Sequence, residues 1–113
     1  MKRLVLLLFL LALPVPSPAH AAEFEIIEAH QQFSENAVSI NPGDTVVFRN
    51  ADNVTHNILI ENAAGAVNDT GLQKPGGVIR ETLSAPGDYK AHCGLHPKMV
   101  LKISVLAARR VLR

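Results

Sequence analysis

Residues 89–99 read YKAHCGLHPKM. This stretch holds the single cysteine of the chain, Cys93, and the only methionine besides the initiator, Met99. His92 directly precedes the cysteine, and His96 follows it by three positions. Sulfur and imidazole are the side-chain donors that suit soft and borderline transition metals. Their concentration in so short a segment indicates a metal site.

The spacing Cys-x2-His-x2-Met suits a strand, a loop and a second strand. Cys93 is predicted to end one strand, His96 to lie in the loop that follows, and Met99 to begin the next strand. Gly94 allows the loop to turn sharply, and Pro97 stiffens it. A short loop of this kind directs the three donor side chains toward one point.

The type of donor favours copper over zinc. Structural zinc sites normally use four cysteines and histidines. One thiolate, two imidazoles and a distant thioether form the blue-copper set. Because Met99 belongs to the cluster, copper fits the donors better, and a second histidine is required.

Three histidines could complete the set. His92 adjoins Cys93 on a strand, so its side chain points to the opposite face. His30 begins a polar run with two glutamines and is interpreted as a solvated residue. His56 lies in an otherwise apolar strand. A lone strand histidine is more often a core or edge residue, but beside this sulfur-rich segment His56 is the best candidate.

The rest of the chain predicts strands separated by turns. Alternating or β-branched segments cover residues 24–29, 37–40, 45–49, 54–60, 78–84, 89–93 and 99–106. Pro-Gly-Asp occurs at 42–44 and again at 86–88, and Pro followed by Gly suits a type II turn. Residues 62–77 are predicted to form a long loop. About seven short strands without a helical pattern indicate an all-β, antiparallel β-sandwich.

Length and charge limit the possible functions. The 113 residues predict one domain. Eleven basic and ten acidic residues give a formal net charge of +1, which provides no electrostatic footprint for nucleic acid. We expect a monomer, and we interpret the terminal Arg109, Arg110 and Arg113 as a solvated end.

The first residues have the pattern of a secretory signal. Lys2 and Arg3 precede an apolar run at 4–13, and 19–21 read Ala-His-Ala, so cleavage is predicted before Ala22. The predicted organisation is a signal peptide at 1–21 and a periplasmic domain at 22–113. The alternative of a membrane anchor is disfavoured, because the run is shorter than the ~18 residues of a spanning helix.

Secretion changes the interpretation of the lone cysteine. Disulfides are usual in oxidising compartments, but one cysteine permits no internal bridge. Cys93 is therefore a small buried apolar residue, which is the common fate of a free thiol, an intermolecular bridge, or a metal-bound thiolate. Its neighbours favour the last of these.

The segment 54–57, Val-Thr-His-Asn, together with 89–99 resembles the cupredoxins, which are type 1 blue copper proteins. The two-residue gap between the second histidine and the methionine resembles the amicyanin group most, with pseudoazurin and plastocyanin more distant. The resemblance covers about 24–105. It implies a Greek-key β-sandwich and one copper ion.

The resemblance also implies a role for each residue of the site. His56, Cys93 and His96 match the strong equatorial ligands, and Met99 matches the weak axial one. Asn57 matches the family asparagine that ties the two ligand-bearing loops together near the thiolate, a kind of outer contact that tunes the metal.

The chain departs from the amicyanin pattern at three positions. Gly94 and Leu95 replace the usual Thr-Pro, and Thr55 replaces a proline. These departures affect the expected potential and loop rigidity, whereas the ligand set is retained.

The function implied by the resemblance is one-electron transfer between proteins. His96 would reach the surface as the electron port, with a dehydrogenase as donor and a c-type cytochrome as acceptor. In the Cu(I) state, His96 is expected to protonate and leave the metal at mildly acidic pH. The alternative is a periplasmic copper carrier or chaperone. We expect no enzyme, because no third group orients a Cys93–histidine pair and Met99 would have no role.

Overall fold

The computed structural model describes residues 2–13 and 21–107, and its strands form two sheets. The strands are Glu23–Ala29 (β1), Gln32–Phe33 (β2), Ala37–Ile40 (β3), Asp44–Asn50 (β4), His56–Glu61 (β5), Val67–Gln73 (β6), Val78–Leu83 (β7), Gly87–Cys93 (β8) and Val100–Val105 (β9). One sheet has the order β2-β1-β4-β7 and the other has the order β3-β9-β8-β5-β6.

Alternating side chains build the core between the sheets. Along β5 every second residue is buried, beginning with His56, and β9 alternates in the same way. Phe48 from the first sheet and Ile58 and Leu101 from the second are fully enclosed. Full burial of such a side chain contributes about 1.5–3 kcal/mol, so these inward faces hold the two sheets together.

The predicted all-β sandwich is confirmed, and the described residues form nine strands rather than about seven. Most pairs are antiparallel, whereas β1 pairs with β4 and β3 pairs with β9 in parallel. The prediction of a long loop at 62–77 is wrong, because β6 lies there and pairs with β5. Nearly all of β6 is exposed. An edge strand of this kind lacks the alternation by which strands are identified.

The two Pro-Gly-Asp segments adopt different structures. At the first, Gly43 has φ 89° and the Asp44 N–H donates to the Asn41 carbonyl over 3.0 Å, as predicted for a type II turn. At the second, Gly87 has φ 144° and pairs with Val105 inside the sheet. The same three residues therefore make a turn once and begin a strand the other time.

The predicted signal peptide precedes the sandwich. The apolar run at 4–13 has no regular secondary structure, and its large side chains are exposed. Among the described residues, no helix is long and apolar enough to cross a membrane. Residues 19 and 20 of the cleavage motif and the three terminal arginines lie outside the described residues. The boundaries 1–21 and 22–113 stay predictions.

Candidate metal centre

Two neighbouring strands position the first two donors. Cys93, the last residue of β8, pairs with Ile58 of β5. His56 lies two residues before Ile58, and residues two apart on a strand share a face. Both donor side chains therefore point into the sandwich, where they are buried.

The loop after β8 brings the third donor back to the first two. The Met99 N–H donates to the His96 carbonyl over 3.0 Å, and the Cys93 N–H donates to the Met99 carbonyl over 3.2 Å. These bonds close the loop that connects β8 to β9. His96 consequently sits over the end of the sandwich and is partly exposed.

Three donor atoms converge at this point. The Nδ1 atoms of His56 and His96 are 3.1 Å apart. Cys93 Sγ lies 3.8 Å from the first and 3.5 Å from the second. Donors that share one ion at about 2.0–2.3 Å each cannot be more than about 4.6 Å apart. All three separations meet this limit, so the residues fit a single transition-metal ion.

Met99 completes the predicted set of residues. Its side chain is fully enclosed and belongs to the same core cluster as Cys93. The thioether is thus held in the apolar interior of the sandwich. Soft thioether sulfur beside a thiolate favours copper.

Asp52 is a residue of the site that the sequence analysis missed. Its Oδ2 accepts a hydrogen bond from His56 Nε2 over 2.7 Å. A carboxylate only accepts, so Nε2 carries the proton and Nδ1 presents its lone pair to the cluster. Such outer carboxylates fix the tautomer and orientation of a metal-binding histidine. Asp52 falls between the predicted strands 45–49 and 54–60, and the available signal was an acidic residue four positions before His56.

The same carboxylate also binds the β1–β2 turn. Asp52 accepts the backbone N–H groups of His30 over 2.6 Å and Gln31 over 3.0 Å. Burial of Asp52 acts against its charge, but the hydrogen bonds from Gln31, His56 and His30 hold its pKa below the usual value. Asp52 is therefore ionised at neutral pH and joins the turn to the donor cluster.

Asn57 ties the two loops together through its backbone. Its N–H points at Cys93 Sγ over 3.4 Å, and its carbonyl accepts the Gly94 N–H over 2.9 Å. Its side-chain amide donates instead to Asp69 and to the Gly71 carbonyl on β6. The Cys93 sulfur therefore has a backbone donor beside it.

The other two candidate histidines do not join the cluster. His30 is exposed at the β1–β2 turn. His92 pairs with Leu59 and Val100, on the face of β8 opposite to Cys93. Both placements agree with the sequence analysis.

A shallow groove runs beside the exposed edge of the cluster. It has a volume of about 390 Å³ and is lined by His30, Gln31, Gln32, Leu95, His96, Pro97 and Lys98. Leu95 on its rim is 53% exposed. His96 is thus the one cluster histidine that a molecule in the groove can reach.

Residues 21–106 match the family of copper-binding proteins described as plastocyanin/azurin. The chain belongs to this family. Copper is therefore its cofactor, in agreement with the donor set. The match spans the whole sandwich and both segments that supply the donors.

Two relatives each match 80% of this chain. The chain is 28% identical over 90 residues to the methylamine utilization protein MauL of Methylorubrum extorquens, covering 80% of this chain and 79% of that protein. It is 27% identical to the protein of that name from Methylophilus methylotrophus, covering 80% of this chain and 52% of the relative.

Two solved structures have a similar fold. A methionine-to-alanine mutant of amicyanin in the Cu(I) state gives a TM-score of 0.68 at 22% identity, covering 74% of this chain and 81% of the other. A purple cupredoxin from Nitrosopumilus maritimus gives 0.65 at 26% identity, covering 74% and 99%. The predicted cupredoxin-like fold and the resemblance to amicyanin are thus confirmed.

Proposed function

We propose that this cupredoxin is a secreted electron carrier in which His56, Cys93 and His96 bind copper strongly and Met99 binds it weakly. The observation that carries the proposal is the convergence of one sulfur and two imidazole nitrogens within 4.8 Å of one another. Bound copper supplies a one-electron couple between Cu(I) and Cu(II).

The surroundings of the cluster favour electron transfer over substrate chemistry. His56 and Cys93 are enclosed by the core, and His56 is held by Asp52 on its far side. Donors fixed in this way move little when the charge at the centre changes. The buried donors are out of reach of a substrate, whereas an electron can leave through a partly exposed imidazole.

The groove beside His96 is suited to transient binding of protein partners. Leu95 and Pro97 supply apolar surface, and Lys98 supplies a positive charge at its edge. A small patch of this kind fits electron-transfer complexes, whose interfaces are at the low end of the size range. The proposed partners are a dehydrogenase as donor and a c-type cytochrome as acceptor. The names of the relatives, which refer to methylamine utilization, support this choice.

The proposed location is the periplasm, with residues 1–21 as the signal peptide. The basic start, the apolar run and the Ala-His-Ala motif support it. The mass of the protein purified from the periplasm tests it, because the amino terminus should be Ala22. A chain that kept its first residues would contradict the proposal.

The visible and electron-spin-resonance spectra of the copper-loaded domain test the ligand assignment. We expect intense colour from thiolate-to-Cu(II) charge transfer, and Cys93→Ser should abolish it. His92→Gln is the matched control, because residue 92 neighbours the cysteine but faces away; this variant should stay coloured. A coloured serine variant with full copper content would refute the assignment.

Voltammetry and chelator competition distinguish an electron-transfer protein from a copper chaperone. The proposed function predicts fast, reversible electron exchange and slow loss of copper to a chelator. Slow or irreversible exchange with ready loss of copper would instead favour a copper chaperone.

A further inference from the structure

A buried carboxyl group, Glu28, interacts electrostatically with Asp52, the hydrogen-bond partner of His56, and has no role in the function proposed so far. It projects from β1 into the sandwich and is 0% exposed. Its register partners are Phe33 on β2 and Asn50 on β4. Gln73, which is 3% exposed, approaches from the other sheet and pairs along the backbone with His56.

Glu28 and Gln73 both hold buried side-chain oxygens that lack a donor. Among the described residues, neither carboxyl oxygen of Glu28 has a hydrogen-bond partner, and neither does Oε1 of Gln73. The Gln73 amide nitrogen is already committed to the carbonyls of Phe48 over 3.0 Å and Gly77 over 2.9 Å. The amide cannot be turned round, because both of these partners are acceptors as well.

The nearby amide of Asn50 does not supply the missing donor. Its nitrogen donates to the carbonyls of Val54 and Gln73. An ionised Glu28 would therefore be a buried anion without compensation, which is strongly unfavourable. A proton on Glu28 resolves both deficits, since a carboxylic acid donates one O–H and Gln73 Oε1 can accept it.

Burial and the nearest negative charge act in the same direction. Burial raises the pKa of Glu28 to about 7, and the charge of Asp52 raises it further. A hydrogen bond from the Gln73 side chain would lower this pKa, but the amide nitrogen of Gln73 donates to two backbone carbonyls instead. Phe33, Asn50 and Gln73, which face it from β2, β4 and β6, are uncharged. The titratable group from β5 is His56, which is hydrogen-bonded to Asp52.

We propose that Glu28 is a buried proton-binding site whose neutral carboxyl group donates to Gln73 Oε1 and whose ionisation lowers the reduction potential of the centre. When the centre gains one electron from a redox protein, Glu28 gains one proton from solvent. Reoxidation returns both. The coupling to the reduction potential rests on the proposed function, whereas proton binding by Glu28 requires no copper.

Electrostatics fix the sign of the coupling. An ionised Glu28 stabilises the more positive, oxidised centre, so the potential falls as pH rises through its titration. The reduced protein correspondingly binds the proton more tightly. A tenfold difference in proton affinity between the two states equals about 59 mV for a one-electron couple.

Infrared spectroscopy of the metal-free protein tests the proton site. We expect a protonated-carboxyl C=O band two pH units below the Glu28 pKa of about 7, which disappears two units above it. Glu28→Gln should remove this band, and its amide can still donate to Gln73, so folding should persist. Glu35→Gln, which changes an exposed carboxylate, is the control and should keep the band.

The band itself decides between a neutral and an ionised Glu28. If the Gln variant fails to fold, Glu28→Asp must shift the band to the aspartic acid position. A wild-type protein that lacks the band at the lower pH holds Glu28 ionised, with a cation or water as partner, and overturns the proposal.

Voltammetry across the same pH range tests the coupling. The wild-type potential should fall with rising pH through the Glu28 titration, and that of Glu28→Gln should not. A pH dependence that arises elsewhere in the protein is present in both and cancels in the comparison. If the reduction potentials of the two proteins change equally with pH, the proposed coupling is overturned. If neither the wild-type protein nor Glu28→Gln forms a blue centre, the proposed function fails. The infrared result still decides whether Glu28 binds a proton.

Discussion

Gly94 lies in the loop after β8, where the lack of a side chain allows a close approach to Asn57. A Cβ placed there would lie 2.8 Å from Asn57 Oδ1 and 3.4 Å from Leu59 Cδ1. The sequence suggested that glycine serves a sharp turn, but the structure shows that it serves a close approach. We expect Gly94→Ala to displace the Asn57 amide from Asp69 and to lower the free energy of unfolding by about 1–3 kcal/mol. Urea denaturation of the metal-free protein measures this loss.

The same loop provides a control for this substitution. Lys98 is exposed, so Lys98→Ala should change stability by no more than about 0.5 kcal/mol. The alanine at position 94 should also shift the thiolate-to-copper absorption, because the backbone N–H of Asn57 donates to Cys93 Sγ and a displaced Asn57 would weaken that bond. Wild-type stability and an unshifted spectrum would show that the close approach to Asn57 is unimportant.

The β1–β2 turn is the element whose backbone departs most from ordinary geometry. His30 and Gln31 have φ of 54° and 55°, which are the left-handed values of a type I′ hairpin turn. A left-handed conformation costs about 1–2 kcal/mol at a residue with a side chain. Gln31→Gly should therefore stabilise the protein by about 1 kcal/mol, seen as a higher denaturation midpoint. Gln32→Gly, inside β2, should lower the midpoint; a loss in both variants would contradict the turn assignment.

The elements predicted correctly are those whose residues alternate or are rich in β-branched and aromatic side chains. β5 and β9 alternate between the core and the surface, and that alternation is visible in the sequence. β2 has only two residues, and β6 exposes nearly all of its side chains, so neither carries the pattern. At the site, residue type and spacing, together with the resemblance to cupredoxins, singled out the clustered donors. The contacts of Asp52 with the β1–β2 turn, and the surroundings of Glu28, depend on how distant strands pair, which local sequence does not encode.

At the scale of the whole molecule, the metal centre links the two sheets. His56, Cys93 and His96 come from the five-stranded sheet and its hairpin, whereas Asp52 connects His56 to the β1–β2 turn of the other sheet. An ion held by these donors contacts residues far apart in the chain, and the unfolded chain does not bring them together. Copper binding is therefore expected to stabilise the complete sandwich rather than one hairpin.

A thermal scan with and without copper tests this coupling. Copper at 100 times its dissociation constant should add about 2.7 kcal/mol to the free energy of unfolding, which raises the Tm of a domain of this size by about 10–20 °C. Cys93→Ser should lose most of the gain, because the thiolate is the softest donor of the three. His30→Gln alters an exposed histidine outside the cluster and should retain it. An equal gain in the serine variant would place the stabilising copper somewhere other than the donors that meet at the end of β8.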